Sequence, residues 1–223
     1  VSGDSMTGLH LGGLATVSAD DAKGVQIGGL ASVSGGAQVG LQLGGLAVVA
    51  ASGQTGVQLG GVGVASGGDT RGLTIGGLAA LSAGDMGVVS LSGGVVLARD
   101  DVWGLQVGGL GVIAGGGDPG DWWPWSWSDD APRGHISGFT VAGLGVQAWS
   151  VRGFSVAGLL HKVHDLHGVA LGAANVVGGT QSGLSVGVFN SAGHLDGLQL
   201  GLLNHVADNP LWARWLPVAN ASF

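Results

Sequence analysis

The side chains best suited to chemistry are His161, His164 and His167, in the string HKVHDLH with Asp165 between them. Imidazole and carboxylate ligands three residues apart would line up on a helix and could share a transition metal. The surrounding segment reads as strand and turn, so these histidines are expected at the surface edge of a repeat rather than around an ion. Gly115 to Asp121, GGGDPGD, has the composition of a calcium turn. Such turns act as arrays, and a single copy does not predict calcium binding. Directly after it come Trp122, Trp123, Trp125 and Trp127, four of the chain's eight tryptophans. Indole favours places with one wet and one apolar side, so this loop either folds down on its own scaffold or touches a membrane interface or a partner. No nucleophile elbow, phosphate loop or HExxH motif is present, and neither catalysis nor a cofactor is expected.

The element that must carry these residues is a repeat. Copies begin at Gly8, Gly24, Gly40, Gly56, Gly72, Gly87 and Gly104, and again at Gly138, Gly153, Gly168, Gly183 and Gly197, about twelve in all. Spacings of 16, 16, 16, 16, 15 and 17 residues give way to 15, 15, 15 and 14. A short fixed period implies stacked units that bury a shared interior. Counting from the leading glycine, large apolar residues fall at positions two, four, seven and ten, as in Leu41, Leu43, Leu46 and Val49. They are expected to face inward, with a phase slip at the Gly44-Gly45 corner. Gln42, Ala47 and Val48 are then expected outside, with Gln26, Gln42 and Gln58 forming an amide ladder and Asn175, Asn190 and Asn204 a second one. The sixth copy, begun at Gly87, is one residue too long, which predicts a bulge near Ser90 to Ser92.

These features predict an all-β parallel solenoid of about twelve coils. Its parts are a polar start (residues 1–7), regular coils (8–114), a Trp-rich insertion (115–137), a second set of coils (138–208) and a C-terminal cap (209–223). The alternative is a twelve-stranded antiparallel outer-membrane β-barrel, favoured by the even number of copies and by the final Phe223. The absence of Tyr and the two-three-three stepping of apolar residues weigh against it.

Charged residues are 9% of the chain, every acid is Asp, and the net charge is −7. No basic stripe exists to neutralise phosphates, so a nucleic-acid partner is excluded. Cysteine is absent, which removes disulfides, thiolate–metal sites and thioether anchors. The first residue is Val1, as removal of a leader or a cut boundary would leave it, and no apolar run is long enough for a transmembrane helix.

The later copies, GLSVGVFNSAGHLD and GLQLGLLNHVADNP, and the ending LPVANASF resemble bacterial surface-repeat proteins built from Gly-Leu-Gln-Ile-Gly-Leu-(Val/Ile)-Asn units that finish on Phe. The resemblance implies export to the bacterial cell surface or outer membrane and transfers no catalytic residue. The functional expectation is a non-enzymatic envelope protein with a structural or self-assembly role. Self-association or other envelope proteins are the expected partners, and membrane contact is possible. The face carrying Ala15 and Thr16, Ala31 and Ser32, Ala47 and Val48, and Ala79 and Ala80 is expected to be flat, charge-free and available for lateral packing. The barrel alternative would instead imply a channel or transport component.

Overall fold

Each repeat copy lies on the next in the same direction, and this parallel stacking sets everything else. A computed structural model describes residues 5–115 and 134–223. Twenty strands occur among them, from β1 (Met6–Gly12) to β20 (Trp215–Ser222), and they wind as a β-solenoid of about eleven turns. In the first half one coil is two limbs, for example β3 (Ala22–Gly28) and β4 (Ala31–Ser34). Gln26 pairs with Gln42 above it and Gly24 with Gly40, all in parallel register. Neighbouring copies therefore do not run up and down, and the antiparallel barrel is not the architecture.

Three corners close a coil. The leading glycine bends the first limb: Gly40 has φ 121° and Gly56 φ 126°, backbone that an L side chain rarely adopts. The Gly-Gly pair makes the second corner, and a small or charged cluster after the second limb, such as Gly67 to Asp69, makes the third. From Gly145 onward the third corner loses a residue and the chain runs through it, so β16 (Gly145–Ala157), β17 (Leu160–Leu171), β18 (Ala174–Val186) and β19 (Phe189–Val206) each join the second limb of one coil to the first limb of the next.

The expected facing is reversed. Gln42 and Val48 are wholly buried, as are Gln26, Ser32, Ala50 and Ala80, whereas Leu46 is half exposed and Leu41, Leu43 and Val49 are only partly covered. The inward places are three, five, nine, eleven and fifteen, so the inside keeps a strict two-residue rhythm and the glycine pair causes no slip. The proposed flat face is likewise split: Thr16, Ser32, Val48 and Ala80 point in, while Ala15, Ala31, Ala47 and Ala79 point out.

The reason is the thinness of the coil. A Cβ placed on Gly44 would overlap the Ala47 carbonyl, and one on Gly60 would overlap that of Gly63. No Leu or Ile fits where the limbs approach so closely at this corner, so places three to eleven take mainly Gly, Ala, Ser, Thr, Val and slender amides, while the wider place fifteen also buries Met86, Ile136, Leu166 and Leu195. Gln42 reaches across it, its Nε2 donating to Gln26 Oε1 (3.1 Å) and to the Val49 carbonyl (3.3 Å) on the opposite limb. The glutamine ladder is thus internal and links Gln26 to Gln42, while both amide atoms of Gln58 lack a hydrogen-bond partner. The asparagine ladder is complete: Asn175 Nδ2 donates to Asn190 Oδ1 (2.7 Å) and Asn190 Nδ2 to Asn204 Oδ1 (2.8 Å).

The sixth copy also differs from expectation. Val88, not Gly87, pairs with Gly72 below and Gly104 above, without any register shift, so the spacing stays at 16 and no bulge forms. Val88 takes the left-handed bend itself, at φ 79°. Gly87 is needed one place earlier because the Trp103 indole lies over it, where a Cβ would collide with the ring.

At the C-terminal end β20 runs antiparallel on β19, pairing Gln199 with Asn220 and Leu200 with Ala219. Asn220 ties this strand down, its Nδ2 donating to the Ala213 carbonyl (3.2 Å).

Candidate interaction surface

Side chains refused by the narrow interior are displayed outside. Position seven, at the tip of the Gly-Gly corner, holds Leu14, Leu30, Leu46, Val62, Leu78 and Leu110 in successive coils, with Gly94 interrupting once. Leu144, Leu159 and Val188 continue the column in the second set, with Ala173 interrupting it between the last two. All of these leucines and valines are exposed, from 47% at Val62 to 73% at Leu14. They form a ridge along the rod. Positions two and four flank it on one side, where Phe139 and Phe154 stack with ring centroids 4.9 Å apart. Positions eight and ten flank it on the other.

Between the ridge and the position-four column runs a groove of about 610 Å³, floored by the glycine pairs at 28–29, 44–45 and 60–61 and walled by Ile27, Leu43, Leu59 and Ile75. A second hollow of about 460 Å³ opens on the other flank beside Leu110, Leu144 and Leu159, where Gly111 and Gly145 leave space.

Charge is sorted to the opposite edge. From the leading glycine to position eleven of every described coil, Lys162 is the sole Asp, Lys or Arg, and its side chain is buried. The remaining coil charges sit in the third corner. There Asp carboxylates bond the next coil: Asp69 Oδ1 accepts from the Asp85 amide (3.2 Å), Asp85 Oδ1 from Asp101 (3.1 Å) and Asp101 Oδ1 from His135 (2.8 Å). Asp21 and Asp165 do the same for Ala37 and Thr180. The cross-section is therefore a wedge with an aliphatic tip and an acidic back.

The histidine trio is not brought together, because successive strand residues alternate across the sheet. His161 points inward and is buried, contrary to the surface placement expected for it; its Nε2 lies 2.8 Å from Ser155 Oγ. Burial pushes its imidazole down to about 4, against a smaller opposing contribution from the nearby Asn175 side chain. A serine and a histidine at this distance could form a nucleophile and base, but the sealed interior admits no substrate. His164 sits on the outer edge, stacked on Trp149 with centroids 4.2 Å apart, and His167 is exposed. No group of three or more metal-binding side chains occurs among the described residues. Near the cap, burial and then the Arg214 charge lower the His205 imidazole.

Trp122, Trp123, Trp125 and Trp127, and all of the GGGDPGD string after Gly115, lie outside the described residues. The described chain breaks off at Gly115 and resumes at Gly134, both in the third corner. No helix among the described residues is long and apolar enough to cross a membrane. The ridge was missed as a site because aliphatic residues at regular spacing read first as core. The signal that could have found it was the glycine at position five, which leaves no room for a core of leucines. No family model matches the chain, and neither a curated protein nor a solved structure is significantly similar to it.

Proposed function

We propose that this chain is a non-enzymatic structural protein of the bacterial cell envelope, displayed at the cell surface or outer membrane, that works by association through its aliphatic ridge. The observation that carries this reading is the sorting of side chains around the rod: leucines and valines stand in an exposed column broken only at Gly94 and Ala173, and nearly all charge lies on the opposite edge. A contiguous apolar strip of this size is costly to leave in water and marks a surface that another body covers. Export to the envelope is supported by the resemblance of the later copies and the ending LPVANASF to surface-repeat proteins. The parallel coils give no lumen, so a channel role has no architectural support.

Fractionation of the producing cells, combined with biotinylation of intact cells by a membrane-impermeant amine reagent, tests the placement. Recovery in the envelope fraction, with labelling of Lys23 on its exposed edge, is the expected result. Recovery from the cytosol without labelling would overturn it.

A further inference from the structure

We infer that the body covering the ridge is a second copy of this chain, its leucine column seated in the glycine-floored groove of its partner while the partner's column fills the groove of the first. The inference rests on the reading that the ridge is the working surface, and three observations select the occupant.

The first is spacing. The notches of the groove recur once per coil, about 4.8 Å apart. A partner that fills every notch must present side chains at that same repeat, which a helix or an irregular loop does not. Another stack of parallel coils does, and the ridge of this chain supplies aliphatic tips in the required column. Ridge and groove lie side by side on the same coils, Leu30, Leu46 and Val62 beside the glycine pairs at 28–29, 44–45 and 60–61, so the contact can be self-complementary and closed.

The second is charge. At a net −7 two copies repel, but the acidic residues sit at the back of each wedge, so tip-to-tip packing keeps them as far apart as the molecule allows. A lipid surface fits less well. Interfacial proteins fringe their apolar face with Lys and Arg for anionic headgroups, and here the single cation on the described ridge and flanks is the buried Lys162.

The third is area. About eleven turns give a ridge roughly 50 Å long, bordered by the groove over the four coils from Ile27 to Gly77, and the ridge with its corner residues spans about four residues, or roughly 13 Å. That is on the order of 700 Å² per copy, close to the roughly 800 Å² that a stable pair buries on each side.

Sedimentation equilibrium of the full chain in detergent-free buffer reads the outcome, together with flotation on neutral phosphatidylcholine vesicles. We expect a dimer at roughly 10 µM, weakened about 100-fold by Leu30→Lys with Leu46→Lys and unchanged by Thr55→Lys on the far edge. Hydroxyl-radical footprinting of the unmutated chain gives an independent readout that requires no variant to fold: Leu30, Leu46 and Leu78 become protected as concentration rises, and Val39 does not. A monomer that floats with vesicles would overturn the dimer and leave the ridge as the working surface. A monomer that neither floats nor shows protected ridge leucines would overturn both.

Discussion

His161 occupies the interior place that Asn175, Asn190 and Asn204 fill in later coils, and its burial ties stability to pH. The folded imidazole titrates at about 4 and the unfolded one near 6.5, so between those values the unfolded chain binds the extra proton. Stability therefore rises with pH, is fully present above about 6.5, and falls by about 3 kcal/mol as pH drops to 4. Denaturant unfolding across pH 4 to 7.5 should show that slope. His161→Asn should flatten it, since an amide there can donate to Asn175 Oδ1, which lacks a partner. A slope that persists in the variant would assign the acid sensitivity elsewhere. Val88 offers a second residue-scale test. A β-branched residue at φ 79° in a column of glycines carries strain of about 1 to 3 kcal/mol, partly offset by the flexibility glycine adds to the unfolded chain. Val88→Gly should raise the denaturation midpoint by about 1 kcal/mol of stability without changing the slope of the transition.

At the scale of the limb and its corner, adjacent residues should respond in opposite ways. Gly44→Val places a branched side chain where even a Cβ overlaps the Ala47 carbonyl, and should cost about 3 kcal/mol. Leu43→Ser, on the outer surface one residue away, should change monomer stability by less than about 0.5 kcal/mol. Thermal unfolding of both variants at low concentration distinguishes a glycine-lined interior from a leucine-lined one. This is also where the sequence was most misleading. The repeat, the parallel stacking, the corner glycines and the asparagine ladder were all legible, because each needs only a residue type recurring at a fixed period. The facing was not legible, because alternation reveals that two sides differ and hydrophobicity was used to decide which side is inside. That rule fails when the limbs lie so close that Leu41 and Leu43 have no space between them. The register of Val88 was hidden too, since only the Trp103 ring explains why Gly87 stands one place early. The aspartates of the third corner read as solvated turn residues, and their bonds to the amides of the next coil emerge only once Asp69, Asp85 and Asp101 are stacked.

For the molecule as a whole, each coil contacts only its neighbours, so length is adjustable in whole units. Excision of residues 41–56 joins Gly40 to Val57 and removes one complete turn, leaving every other column in register. The shortened chain should keep its β-sheet circular dichroism and lose about 5 Å of length by small-angle scattering. Removing residues 41–48 instead would set first limbs against second limbs, and that chain should fail to fold. The two ends of the rod face different fates. β20 lies antiparallel on the last coil, carries Pro217, which has no amide hydrogen, and turns at Val218 into left-handed backbone with φ 68°. Such a strand is a poor template for another chain. Growth by end-to-end addition is thereby blocked at this terminus, so copies of the protein can accumulate side by side without seeding an amyloid-like fibre from that end.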